Sequence, residues 1–128
     1  MDFAPQRNAD LLKEFRRYTA QVSHIRLPEI FKMMSETPAR RFWVSEGRAA
    51  IVISMMESGK RLPNMRPTKL KMFNEIHRRY KELRAREPGK SLASLVAEIV
   101  MQPAPEYYLT PGTIKEFIFR IKKGKYEC

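Results

Sequence analysis

"TPARRFWVS", residues 37–45, and "QPAPEYYLT", residues 102–110, have the same arrangement of residue types. Each contains a proline and an alanine, two further residues, an aromatic pair, an aliphatic residue and a hydroxyl residue, and the two stretches lie 65 positions apart. A pattern that recurs at a fixed offset indicates an internal repeat. We therefore expect a chain of two similar halves, each with this joint inside it.

The residues after each joint predict a capped amphipathic helix. Apolar residues recur there at i, i+3, i+4 and i+7, the spacing of one helix face: Ala49, Val52, Ile53 and Met56 correspond to Ile114, Phe117, Ile118 and Ile121. Ser45 and Thr110 are residues that cap a first turn, and Pro111 suits the first helical position. Gly59 and Gly124 stand at the matching C-terminal ends.

Two further helices precede the third in each half. The second helices carry matching apolar residues: Leu27, Ile30, Phe31 and Met34, then Leu92, Leu95, Val96 and Ile99. The first helices are expected to begin at the capping residues Asn8 and Thr68, and Pro88 ends the later one. No alternating strand pattern competes, so the expected fold is all-α.

The architecture that follows is a pair of tandem three-helix, helix-turn-helix-like pseudo-repeats at an offset of 65. The first repeat spans residues 8–59, a proline-punctuated linker spans 60–68, and the second repeat spans 69–125. The sequence leaves open whether the two repeats share one core. The joint of residues 38–44 is longer than the usual turn of a helix-turn-helix, which is three or four residues.

The joint itself combines two kinds of residue. Its aromatic residues correspond in pairs across the repeat: Phe42 with Tyr107, and Trp43 with Tyr108. Because the aromatic pair recurs whatever the local charge, we expect it in the core rather than stacked on bases. Arg40 and Arg41 have no basic counterparts in the second joint, which makes them candidates for function.

Charge gives the main indication of function. The chain has a formal charge of +11 and a pI near 10.1, which predicts attraction to DNA or RNA first and to acidic membranes or proteins second. The first 60 residues hold 10 Lys+Arg against 7 Asp+Glu, and the remaining 68 hold 15 against 7. We therefore expect the second half to bind phosphates, as sequence-independent and salt-dependent binding requires.

The candidate nucleic-acid-binding residues lie in the first joint, in the stretch from the linker through the second half's first helix, and in its third helix, where a threonine would face a groove. They are Arg40, Arg41, Arg66, Lys69, Lys71, Arg78, Arg79, Arg84, Thr113, Lys115, Arg120, Lys122 and Lys123. In helix-turn-helix proteins the last helix enters the major groove. The third helix of the first half is too apolar for that role, so "IVISMM", residues 51–56, is expected to pack on a partner, on the second repeat or on a second copy of the chain.

Catalytic and cofactor-binding patterns are absent from the sequence. The five glycines form no phosphate loop, and His24 and His77 lie far apart, with Cys128 as the only cysteine. We therefore expect no metal site, no cofactor, no small-molecule substrate and no enzyme activity. Without a signal-peptide core or an apolar run of about 20 residues, the expected location is the cytoplasm, with no membrane partner.

With these stretches and the opening "NADLL…RRY" in view, the chain resembles small uncharacterised bacterial proteins that carry a duplicated "PAPxFYVS"-like joint, over residues 8 to about 127. In architecture it also resembles tandem helix-turn-helix proteins of mobile elements and phages. The first resemblance implies the fold, and the second implies DNA binding.

The expected function is nucleic-acid binding, as in a regulator or accessory factor of a mobile element. Double-stranded DNA is favoured over RNA because no RNP-like aromatic strand or GXXG loop is present. The alternative is a helical interaction or structural module with no nucleic-acid role, in which the charge serves only solubility.

Overall fold

The computed structural model describes residues 3–21 and 26–123, and these residues form helices without a β-strand. The helices are α1 (Ala4–Gln21), α2 (Leu27–Ser35), α3 (Glu46–Glu57), α4 (Pro67–Arg86), α5 (Leu92–Val100) and α6 (Pro111–Lys122). The all-α prediction is therefore confirmed for the described part of the chain. None of these helices is long and apolar enough to cross a membrane.

The N-termini of α3 and α6 are capped as the sequence predicts. The Ser45 hydroxyl accepts a hydrogen bond from the Arg48 N–H at 3.1 Å, and the Thr110 hydroxyl accepts one from the Thr113 N–H at 3.2 Å. Pro111 takes the first helical position of α6, where its missing N–H removes no intrahelical hydrogen bond. Each joint therefore ends in a hydroxyl residue that starts the third helix.

The C-terminus of α3 ends in a Schellman motif. Gly59 has a φ of +70°, a left-handed conformation that glycine adopts without steric cost. Its N–H donates to the Met56 carbonyl, and the Lys60 N–H donates to the Met55 carbonyl. The prediction for Gly59 is confirmed, whereas Gly124 lies outside the described residues.

The starts of α1 and α4 differ from the prediction. Asn8 does not cap α1, because that helix begins at Ala4 and Asn8 is buried within it. Thr68 likewise lies inside α4, which begins at Pro67. Proline fits the first helical position, since its φ is already helical and its missing N–H is not needed there.

The aromatic residues of both joints are buried, as predicted. Phe42, Trp43, Tyr107 and Tyr108 are between 0% and 8% exposed. The apolar face of each third helix is covered as well, although Met56 and Phe117 at its edge are half-buried. Leu27, predicted for the apolar face of α2, is 45% exposed at the first residue of that helix.

The described helices fall into two compact units, and each unit takes helices from both predicted repeats. Unit 1 contains α1, α2 and α6, and unit 2, Arg40–Ala104, contains α3, α4 and α5. In unit 1, α6 packs against α1 and α2; in unit 2, α3 packs against α4 and α5. The predicted groups 8–59 and 69–125 are therefore not the compact units, because the third helices are exchanged.

Specific contacts between the helices of unit 1 support this grouping. In unit 1 the rings of Phe31 on α2 and Phe119 on α6 meet edge to face, with centroids 6.3 Å apart. The Arg7 guanidinium on α1 lies 4.4 Å from the ring centroid of Phe117 on α6. A helix-turn-helix places the second and third helices of one repeat together. Here α2 and α3 belong to different units.

The predicted helix phase of α6 is tested by two neighbouring residues. Ile118 is fully buried, whereas Phe119 is 40% exposed. We expect Ile118→Ala to lower the free energy of unfolding by about 2–5 kcal/mol, because it leaves a cavity in the core. Phe119→Ala is expected to lower it by roughly half as much or less, because that ring is only partly buried.

Urea unfolding of both variants measures this difference directly. A larger loss for Phe119→Ala than for Ile118→Ala would contradict the placement of α6.

Candidate nucleic-acid interface

Unit 2 holds most of the excess positive charge. Residues 40–104 contain 14 lysines and arginines against 6 acidic residues, a formal charge of +8, and the rest of the chain contains 11 against 8. Unit 2 is therefore the more positively charged of the two units. How much of this positive charge is exposed to a ligand depends on the partners of each basic side chain.

Arg78 is held by two carboxylates of its own helix. Its guanidinium donates to both oxygens of Glu75, at 3.1 and 2.7 Å, and to Glu82 at 2.8 Å. Hydrogen bonds from Arg78, and secondarily from Arg79, lower the pKa of Glu75 from its ordinary value of 4.5 to about 2. The charge of Arg78, which we expected to contact a phosphate, is therefore largely balanced by carboxylates of α4.

Arg79 has an architectural role. Its Nε donates to Glu75 at 2.7 Å, and its Nη1 donates to the Gln102 side chain and the Pro103 carbonyl at 3.2 and 3.0 Å. The guanidinium also lies 4.8 Å from the ring centroid of Phe42. Arg79 thus ties α4 to the end of α5 and to the start of the joint before α3.

Arg84 closes the loop after α4. Its guanidinium donates to the Tyr80 hydroxyl at 3.1 and 3.0 Å and to the Pro88 carbonyl at 3.3 Å. It also donates to the Lys90 carbonyl. Removal of this side chain is therefore expected to disturb the loop as well as the surface charge.

The joint arginines also contact the protein. Arg41 donates to the Phe42 and Val44 carbonyls at 3.0 and 2.9 Å, and its partial burial lowers the pKa of its guanidinium. Arg40 is exposed and lies 5.6 Å from the Trp43 ring centroid. Arg41 fixes the backbone of the joint, Arg40 is exposed, and a functional role for either arginine stays a prediction.

The predicted site residues of α6 belong to unit 1, whereas those of α4 belong to unit 2. Thr113 contributes to the N-terminal cap of α6. Lys115 and Lys122 lie over the rings of Phe119 and Phe15, at 5.7 and 4.7 Å from the centroids. Arg120 and Lys123 are exposed. The structure therefore does not gather the predicted site residues into one unit.

A different set of cations in unit 2 faces outward. Their side chains are exposed and make no hydrogen bond, ion pair or ring contact with any described residue: Arg48, Lys60, Arg61, Arg66, Lys69, Lys81 and Arg86. Of the predicted site residues in unit 2, only Arg66 and Lys69 belong to this set. Lys71 is exposed as well.

Most of these cations lie in one stretch, residues 60–71, which we call the basic segment. It runs from the end of α3 into the first turns of α4 and contains Lys60, Arg61, Arg66, Lys69 and Lys71. No acidic residue occurs between Glu57 and Glu75, so no carboxylate near in sequence competes for these charges. The first turn of α4 also lacks an acidic residue, and the positive end of its helix dipole adds to the field.

The sequence prediction placed the interface on the first joint, on Arg66 and α4, and on α6, and it left Lys60 and Arg61 out of the site. The signal that identifies them is the run from residue 58 to residue 74, which has five cations and no carboxylate. In contrast, Arg78 and Arg79 have Glu75 within one turn of the same helix, and i,i+3 and i,i+4 neighbours of opposite charge pair on a helix.

The residue types that bind metal ions are dispersed in the described ranges. No group of three or more His, Cys, Asp and Glu residues that suits a metal ion occurs in residues 3–21 and 26–123. His77 pairs with Glu57 through a 2.7 Å contact between Nε2 and Oε2, whereas His24 lies outside the described residues. No protein-family model, curated protein or solved structure matches the chain.

The Glu75 cluster predicts a defined acid sensitivity. Because the pKa of Glu75 in the folded protein, about 2, lies below its ordinary value of 4.5, its ionised form stabilises the fold above about pH 4.5. That contribution is lost as the pH falls toward 2. We expect Glu75→Gln to be less stable than the wild type at pH 7, and the difference to close between about pH 4.5 and 2.

Urea unfolding at a series of pH values measures the difference. A constant gap between wild type and variant across this range would show that Glu75 does not hold Arg78 and Arg79 in its ionised form.

Proposed function

We propose that the chain binds nucleic acid through the phosphate backbone and that the basic segment of unit 2 makes the contacts. The observation that carries this proposal is the set of exposed, unpaired side chains of Lys60, Arg61, Arg66 and Lys69 in a stretch without a carboxylate. Cations that already have carboxylate partners gain less from a phosphate, because they have to give up an existing ion pair. Unpaired exposed cations release bound counterions from the nucleic acid when they approach its phosphates.

Duplex nucleic acid is favoured over single strands because it carries more phosphates along its axis, and double-stranded DNA is the first candidate to test. The binding we propose is independent of sequence, because it rests on contacts between cations and backbone phosphates, which carry no sequence information. Groove reading by α6, as in a helix-turn-helix, is not part of this proposal. A role as an accessory factor that coats or bridges DNA fits such binding better than a role as a site-specific regulator.

The experiment compares two triple variants with equal changes in charge. Arg61, Arg66 and Lys69 changed to alanine remove exposed cations of the basic segment, and Lys13, Arg16 and Lys32 changed to alanine remove exposed cations of unit 1. All six side chains lack partners among the described residues. Both variants are therefore expected to fold like the wild type, which circular dichroism and thermal unfolding check.

We expect the wild type to bind a short DNA duplex at about 50 mM salt, with an affinity that falls steeply as salt rises. The basic-segment variant is expected to bind more weakly, with a log–log salt slope that is shallower by about 2–3, because about three phosphate contacts are lost. The unit 1 variant is expected to keep a slope close to that of the wild type. Fluorescence anisotropy across a salt series, with DNA and RNA duplexes side by side, gives both quantities.

Two results would contradict the proposal. If no duplex binds at about 50 mM salt, where phosphate-driven binding is strong, the alternative of a helical interaction module becomes the better account. If both triple variants lose affinity and slope equally, the binding follows total charge and the basic segment is not the interface.

A further inference from the structure

A cavity lined by arginines lies on unit 2, apart from the basic segment. A cavity of about 230 Å³ opens between the C-terminal half of α4 and the end of α5. Its walls are three guanidinium groups, an amide and a carboxylate over an apolar floor: Arg78, Arg79, Arg86, Gln102 and Glu82, with Leu83 and Ile99 below. Three arginines around one concave site are typical of phosphate recognition.

Two of the donors are fixed in place before any ligand arrives. Arg79 is held by Glu75, by Gln102 and by the Pro103 carbonyl. Because the Gln102 Oε1 accepts from Arg79, the amide NH₂ of Gln102 is left as a donor with no partner in the described part of the chain. A preorganised donor set binds an anion without the entropy loss of ordering its side chains.

Arg86 is the donor that has no other role. It is exposed, lines the cavity and makes no hydrogen bond, ion pair or ring contact with a described residue. A guanidinium offers several N–H groups in a planar fork that matches two oxygens of a phosphate. Arg86 therefore supplies the bidentate contact that the fixed side chain of Arg79 lacks.

The charge of the cavity suits an anion. Three guanidinium groups stand against the carboxylates of Glu75 and Glu82, which leaves a formal charge of +1. The ion pair of Arg78 with Glu82 joins two side chains that are 57% and 61% exposed, and such surface pairs contribute little to stability. If Glu82 turns away, the charge becomes +2, which complements the roughly −1.5 to −2 of a phosphate monoester at neutral pH.

We propose that this cavity binds a phosphate group, with Arg86 and the Gln102 amide as its direct donors and Glu82 as its competitor. The proposal goes beyond nucleic-acid binding by the basic segment, because inorganic phosphate alone is a sufficient probe. The bound group has two candidate sources: a terminal phosphate monoester and the phosphodiester of a nucleic-acid backbone.

The test is a calorimetric titration of the full chain with sodium phosphate at constant ionic strength. We expect Arg86→Ala to weaken phosphate binding about tenfold, because a charge-assisted hydrogen-bonding fork is lost. Arg48→Ala is the matched control: Arg48 is also an exposed, unpartnered arginine of unit 2 but does not line the cavity. We expect it to weaken binding less than about twofold, as a change of general charge alone.

A third variant tests the competitor. Glu82→Gln keeps the shape of the side chain and removes its charge, so we expect it to bind phosphate several times more tightly than the wild type. A variant that binds no more tightly overturns the role of Glu82. Absence of phosphate binding to the wild type at millimolar concentration overturns the site, and so do equal losses in Arg86→Ala and Arg48→Ala.

The same titration with a short single-stranded oligonucleotide, with and without a 5′ phosphate, distinguishes the two sources. A terminal monoester as the ligand predicts tighter binding of the phosphorylated oligonucleotide and loss of that advantage in Arg86→Ala. A backbone phosphodiester predicts that both oligonucleotides bind alike and that Arg86→Ala weakens both equally. If Arg86→Ala weakens neither, the cavity binds no phosphate of either kind.

Discussion

The third helix of each predicted repeat has to bury an apolar face, and the pair of helices that covers this face determines the rest of the structure. Ile53 on α3 and Ile118 on α6 are both fully buried. The cover of α3 comes from α4 and α5, and the cover of α6 comes from α1 and α2. α3 and α6 have apolar residues at corresponding positions of the predicted repeats, and each packs against two helices of its own unit. The exchange therefore keeps the packing pattern of a three-helix unit and changes which parts of the chain form it.

The grouping of the helices into units also divides the charge between the units. Unit 2 is one continuous stretch, Arg40–Ala104, and its formal charge of +8 includes the whole basic segment. The hydrogen bonds of Arg79 and Arg84 hold α4 to the neighbouring backbone at Pro103 and Pro88. The outward cations of residues 60–71 are thus presented on a unit whose other arginines stabilise it. The arginines that hold the unit together are therefore different residues from the unpaired cations of the basic segment.

Much of the fold follows from local pattern. The capping of Ser45 and Thr110, the turn at Gly59 and the burial of Ile118 depend on residues a few positions apart, and sequence spacing contains that information. The helix exchange does not follow in this way, because α3 carries no local mark that prefers one pair of covering helices over the other. The candidate nucleic-acid interface was only partly predictable from the sequence. The partners of Arg79 lie up to 37 positions away, at Phe42, and only the fold brings these residues together. The duplication behind the 65-residue offset stays a prediction.

The central claim is that α6 packs with α1 in one unit, and a double-mutant cycle between Arg7 and Phe117 tests it most directly. Their guanidinium and ring lie 4.4 Å apart, although the residues stand at opposite ends of the chain. Unfolding free energies of the wild type, Arg7→Ala, Phe117→Leu and the double variant give the coupling. We predict a favourable coupling of about 0.5–1 kcal/mol. Effects that add within about 0.3 kcal/mol would mean that α6 does not pack against α1, and the two units as described here would be contradicted.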